Sequence, residues 1–384
     1  MMMNDSALYA PEWGQLSQSE KKERIDALLA KLKIPFTLSD IRTFSSNGIT
    51  TETVLLVHEG RQFVFVPGRQ RVTLGWNNGI DGLDENALDD IRCSFDSVLD
   101  PLKLWRRELE MAEAADDGEQ VAFIRNQMAK LKKNPPNEMS EDVKQFYSFP
   151  GIVSYINENT SPVRTVDIAP MIVECDLNEV GLVHIGKVNR QTNEHDLSPE
   201  DFDKVKEYIF TFDTRNTSEV QEVGRCRFVL FDEERLIYDV FVFRKQSNEE
   251  LMATIHEQGF SLPTEDQWEY LCGGGSRTLF PFGNRFDEHK RYAYMTEDGE
   301  NVLENPNMFG LIIAYDPYKY ETVDADCLVK GGDGGGALCG GEPFIYIMLP
   351  LSTYWRDTPT YILEGDQNLS GGYFFYRRII TLEG

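Results

Sequence analysis

The sequence has no stretch approaching the roughly 20 consecutive apolar residues of a membrane-crossing helix, so no membrane partner is expected. Its six cysteines, Cys93, Cys175, Cys226, Cys272, Cys327 and Cys339, stand far apart with no CxxC pair. That is the pattern of reduced, individually placed thiols, not of a disulfide framework. The Asn-x-Ser/Thr sequons at Asn159, Asn216 and Asn368 accordingly read as chance. Positive charge is scarce: 38 Lys plus Arg stand against 64 Asp plus Glu, a net charge of −26 at pH 7. A field of that sign repels phosphate backbones and anionic lipid, which argues against nucleic acid and membrane surfaces as partners. The opening residues, MMMNDSALYAPEWG, show neither the basic nor the apolar region of a secretory signal, and a cytoplasmic protein is expected.

What is abundant is apolar and aromatic. The 384 residues are 41% hydrophobic, with 23 Phe, 16 Tyr and 5 Trp, enough for a sizeable core in one large domain or two ordinary ones. Residues 17–33 open with a capping-box pair, Ser17 and Glu20. Ile25, Leu28, Leu29 and Leu32 then repeat on one helical face until Pro35. Between 52 and 76, Phe63, Phe65 and Pro67 alternate with Gln62, Val64 and Val66, bounded by glycines, which predicts a β-hairpin. Residues 83–147 return to helix. Leu102, Trp105, Leu109 and Ala112 share one face and Val121, Ile124, Met128 and Leu131 another, with breaks at 116–118 and 134–136. That pattern predicts an antiparallel helical hairpin with a charged outer face. From 162 onward the texture is short strands (PVRTVDIAPMIVEC, EYIFTFDTR, RCRFVLFD, RLIYDVFVF) with one helix at about 247–258.

Residues 259–284, GFSLPTEDQWEYLCGGGSRTLFPFGN, carry the most information. Pro263 and Thr264 start and cap a short helix, Glu265 and Asp266 complement its dipole, and Trp268 faces inward. The run Leu262-Pro263-Thr264-Glu265, Trp268-Glu269-Tyr270 and Phe280-Pro281-Phe282-Gly283-Asn284 resembles, in order and spacing, a segment of the formylglycine-generating enzyme family (sulfatase-modifying factors). Phe63 through Gly68 with Leu74-Gly75, Pro162 through Glu174, Asn307 through Leu311, and Leu328 through Gly332 are similar to further pieces of that family. The resemblance covers about 50–384. It implies an α+β, C-type-lectin-like domain at 51–384 with a helical hairpin insertion at about 83–147, preceded by an N-terminal helical extension at 1–50.

The family's oxidase holds Cu(I) between two cysteines a few residues apart, since soft thiolates suit that ion. Here Cys339 falls near the first position and Phe344 near the second, while Cys327 lies on the preceding strand. The family's calcium ligands are oxygen donors. Their positions fall on Pro317 and Tyr320, leaving Asp316 or Glu321 as single candidates. The three-histidine iron site of the related sulfoxide synthases needs a spacing that His58, His184, His195, His256 and His289 do not contain.

The remaining candidates have competing readings. The run Gly331-Gly332-Asp333-Gly334-Gly335-Gly336 lacks the Lys-Ser/Thr of a P-loop and is expected to lead into a strand, FIYIML, so a structural glycine loop is the reading adopted. His184, Glu194, His195 and Asp196 read as surface residues rather than metal ligands. Cys339 lies beside Asp333 and Glu342, whose charge disfavours a reactive thiolate. There is no G-x-S-x-G elbow. The aromatic stretch 344–376 reads as core strands, or else Tyr354, Trp355 and Arg356 line a ligand surface with Asp333 nearby. The expected protein is a non-catalytic binding or interaction module, a pseudoenzyme with no cofactor, whose partner is a protein or a small ligand. One alternative is a thiol- or metal-dependent enzyme using Cys339, with Cu or Ca as cofactor. The other is an acidic regulatory or immunity-type protein that docks a basic partner.

Overall fold

A computed structural model describes residues 6–136, 138–209, 220–223, 226–285, 303–325, 328–357, 368–369 and 371–382. The alternation at 52–76 forms the predicted hairpin, with strands Ile49–His58 and Arg61–Val66. Along the second strand Phe63 and Phe65 bury one face and Val64 and Val66 the other. A strand apolar on both faces belongs inside a sheet covered from both sides. It is the third of five antiparallel strands, in the order Ile379–Thr381, Met171–Glu174, Arg61–Val66, Ile49–His58, Thr37–Ser46. On one face Phe63 and Phe65 pack with Trp13, Ile25, Leu251 and Phe260. On the other, Val64 and Val66 pack with Trp268, Leu271 and Met308.

The N-terminal segment departs from the expected helical extension. Its helix, Gln18–Leu29, is present with both halves of the Ser17/Glu20 capping box. Thr37–Ser46, however, is the edge strand of the five-stranded sheet, and Tyr9–Ala10 pairs in parallel with the strand Gly68–Leu74. Residues 6–50 are thus woven into the main sheet and supply half of the cover on one of its faces.

The helical segment is also larger than the sequence pattern suggested. The hairpin Pro101–Ala114 and Gly118–Lys133 is flanked by Glu85–Leu99, Glu141–Phe146 and Phe149–Glu158. Side-chain N-caps at Asp84, Asp100, Asp117, Ser140 and Ser148 mark each start. Of the predicted strand EYIFTFDTR, Glu207–Ile209 end the helix Pro199–Ile209, and the rest lies outside the described residues. That helix packs on a four-stranded antiparallel sheet (Val220–Val223, Cys226–Asp232, Ile237–Phe243, Leu182–Asn189) around its own core of Val188, Val205, Phe228 and Val240.

A small sheet carries the glycine-rich loop. Its order is Val329–Lys330, Tyr320–Thr322, Phe374–Tyr376, Asn178–Glu179. Fully buried Arg377 fastens this sheet to the large one. Its guanidinium donates to the Glu174 and Cys175 carbonyls at 2.7 Å each, to the Ile312 carbonyl at 2.7 Å and to Glu321 at 2.9 Å. After the loop the structure corrects the predicted strand FIYIML: Phe344–Met348 is a helix, continued by a 3-10 turn at Leu349–Leu351. Ile345, Tyr346, Met348 and Leu349 are the buried positions, which is helical spacing, and Pro343 and Pro350 limit the run. No helix among the described residues is long and apolar enough to cross a membrane.

Candidate functional site

The segment that carried the family resemblance builds a scaffold. Thr264 caps the helix Glu265–Gly273 reciprocally with Gln267. Trp268 and Glu269 are fully buried on it. Glu269 accepts from the equally buried Lys330 at 3.1 Å, and Glu265 faces the same ammonium at 3.5 Å. Arg164 reaches Asp266 at 2.6 Å and Glu269 at 3.2 Å. Buried charges tolerate their desolvation only when paired in this way. Through Lys330, the helix fixes the base of the loop that follows.

That loop, 331–341, is shaped by backbone that only glycine accommodates. Gly335 has φ +76°, and a Cβ there would lie 2.2 Å from the Tyr318 ring. Asp333 accepts from the backbone of Gly336 (3.0 Å) and Ala337 (2.9 Å), which begins the short helix Gly336–Gly340. Burial raises the Asp333 carboxyl above its ordinary value, against those backbone hydrogen bonds. Cys339 is exposed on the helix, its sulfur 3.1 Å from the Tyr318 hydroxyl. At the loop's end Glu342 accepts from Tyr147 at 2.8 Å. Burial, and then this carboxylate, push the Tyr147 phenol up to about 12. Burial likewise raises Tyr155, helped by the charges of Asp333, Asp357 and Glu342. The loop and the helical insertion therefore meet along a lip with carboxylates on one side and phenols on the other.

The sequence-derived candidates are divided by this geometry. Cys339 and Asp333 stand on the loop. Tyr354 and Trp355 are 0% and 6% exposed, Tyr354 stacked on Trp76 and Trp355 against Tyr155. They are core residues, as one of the two readings had it, and offer a ligand no face. Arg356 is half-exposed and paired with Glu265 at 2.9 Å. Tyr147, Tyr155 and Tyr318 were not singled out in the sequence, where nothing signals that Tyr147 meets Glu342, 195 positions further on.

The donors implied by the family's metals were tested against these positions. Cys339 has a phenol, not a thiol, as its sulfur's neighbour. Phe344, at the second cysteine's place, supplies no donor, and Cys327 lies outside the described residues. Asp316 accepts from the Tyr318 backbone at 3.0 Å, and Glu321 is taken up by Arg377. These residues fit neither the copper pair nor the calcium set. Among the described residues no group of three or more His, Cys, Asp or Glu is placed to hold a metal ion. His184 pairs with Asp239 at 2.7 Å, and His195 stacks on Phe202. The five described cysteines are all free, and burial pushes the Cys175 and Cys272 thiols up to about 12. A concavity of about 260 Å³ between Ser45, Phe282, Asn305 and Asn307 has no titratable side chain among the described residues of its lining.

No protein-family model matches this sequence, and no curated protein matches it. The resemblance to the formylglycine-generating enzymes rests on the motifs alone.

Proposed function

We propose that this chain is a non-catalytic binding module on a C-type-lectin-like scaffold of the formylglycine-generating-enzyme type, and that the lip between its glycine loop and its helical insertion takes a cationic group of a basic protein partner. The observation that carries this reading is the line of carboxylates where the loop meets the helical insertion: Glu342 accepts from Tyr147 at 2.8 Å, and the charges of Asp333, Asp357 and Glu342 act on the neighbouring Tyr155. Carboxylates and ring faces recognise guanidinium and ammonium groups, and the net charge of −26 steers a basic partner inward.

The test is titration with an arginine- and lysine-rich peptide, with a glutamate-rich peptide as control. The basic peptide is expected to bind and to weaken steeply with salt, because exposed charges are screened over about 10 Å at 0.1 M. The double substitution Asp333→Asn with Glu342→Gln is expected to lose most of the binding. The same number of neutralisations at Glu200 and Asp203, exposed residues of the helix Pro199–Ile209, is expected to have little effect. Equal binding by the two double variants overturns the proposal.

The alternative is an enzyme that uses the exposed Cys339 thiol with a soft metal. An anaerobic Cu(I) titration separates the two readings. Tight one-to-one binding that disappears in Cys339→Ser supports the enzyme; no specific binding supports the module.

A further inference from the structure

The hairpin Pro101–Ala114 and Gly118–Lys133 projects from the body of the protein. Outside itself, its substantial packing among the described residues is with the helix Glu85–Leu99. Its charges are sorted by height. Residues 101–107 hold Lys103, Arg106 and Arg107 and no acid; 125–133 hold Arg125, Lys130, Lys132 and Lys133 and no acid. Residues 108–119, around the connecting turn, hold six acids and no base. The hairpin is basic at its root and acidic at its tip. Helix stability accounts for this in Gly118–Lys133, where Glu119 opens the helix and Lys130, Lys132 and Lys133 close it, but not in its partner. In Pro101–Ala114 the bases sit near the N-terminus and Glu110 and Glu113 near the C-terminus, against the helix dipole.

The same hairpin leaves large apolar groups in water. Met111 is 58% and Phe123 50% exposed. Each directly precedes the inward residue of its helix, Ala112 and Ile124. In an antiparallel pair an equal offset from the inward position places both on one side. On the hairpin, toward the root, lies a cavity of about 290 Å³ lined by Trp105, Gln127, Lys130, Leu131 and Asn134.

We infer that the hairpin is a homodimerisation element, and that its occupant is the hairpin of a second copy laid antiparallel about a two-fold axis. That arrangement sets each acidic tip against the other copy's basic root. It also brings the exposed part of Phe123, which packs edge-on against Trp105 of its own copy at 6.1 Å between ring centroids, to the concavity beside Leu131 of the other copy. Both contacts occur twice, as an isologous interface requires. A helix of 16 residues is about 24 Å long, so one face of the hairpin covers about 500 Å² per partner, below the roughly 800 Å² of a standard stable interface. The dimer is accordingly weak and strongly salt-dependent.

Sedimentation velocity of the full chain over a concentration series, at low and high salt, tests this. Wild type is expected to dimerise reversibly at low salt and to dissociate at high salt. Phe123→Glu changes a half-exposed side chain whose internal contact is with Trp105 of the same hairpin; it is expected to weaken the dimer at least about thirtyfold. A root-reversed variant (Lys130→Glu, Lys132→Glu, Lys133→Glu) and a tip-reversed variant (Glu110→Lys, Glu113→Lys, Glu119→Lys) are each expected to be monomeric. Mixed, they are expected to form a heterodimer, because the reversed root then meets the reversed tip. Circular dichroism of each variant establishes that it is folded. A wild type that stays monomeric throughout, or reversed variants that dimerise alone and gain nothing on mixing, overturns the inference.

Discussion

Glu174 has no exposed surface, yet it sits between two guanidiniums, Arg378 at 2.9 Å and Arg61 at 2.7 Å, with Asn178 donating at 2.6 Å. Burial alone would lift its carboxyl; the two arginines more than offset that and hold it below the ordinary value of 4.5. Folding lowers this pKa, so the stability it confers is present above about 4.5 and is lost as the pH falls through the lower folded value. Glu174→Gln is therefore expected to be destabilised at neutral pH, with the gap to wild type narrowing on acidification. Urea unfolding from neutral pH downward reads this directly. A gap that stays constant with pH would refute the assignment. Arg377, next along the chain from Arg378, shows why such groups can be buried at all: its five N–H donors all meet carbonyl or carboxylate oxygens.

Among elements, the glycine loop is the most demanding. At Gly335 an added methyl group meets both an unfavourable φ and the Tyr318 ring, whereas at Gly341 the φ is equally positive but nothing lies within 4 Å. Gly335→Ala is expected to lose about 1–3 kcal/mol from backbone strain and more from the ring it displaces; Gly341→Ala is expected to lose the strain alone. Chemical denaturation of both, with the labelling rate of Cys339 as a reporter on Tyr318, is the check, and equal losses would disprove it. The elements legible in the sequence were those with local chemistry of their own. The Ser17/Glu20 and Thr264 caps, the alternation at Phe63–Val66 and the paired helical faces of the hairpin all mark their elements without tertiary help. FIYIML was not legible, because isoleucines and aromatics favour strands in isolation and only burial against the helical insertion selects a helix. The site was half legible. Asp333, Glu342 and Cys339 stand in one glycine-rich run, but Tyr147 and Tyr155 reach it only through packing between distant segments.

At the scale of the whole molecule, both ends of the described chain are structural members. Tyr9–Ala10 extends the sheet around Gly68–Leu74, and Phe374–Tyr376 and Ile379–Thr381 enter two different sheets. Deleting residues 374–384 removes the parallel partner of Tyr320–Thr322, the partner of Met171–Glu174, and Arg377 between them. The truncated chain is expected to lose its near-ultraviolet circular dichroism and its protease resistance; retention of either would show the sheets to be independent of this segment. The last strand also sets an order of events during synthesis. Met171–Glu174 leaves the ribosome some 200 residues before Ile379–Thr381, and at roughly 5–20 residues per second that wait is of the order of ten seconds or more. Throughout it, the newly made sheet has a bare edge, and Glu174 has Arg61 but not Arg378 as a partner. The edge of Met171–Glu174 is thus open to mispairing over that interval, and a chaperone that shields it acts within that wait.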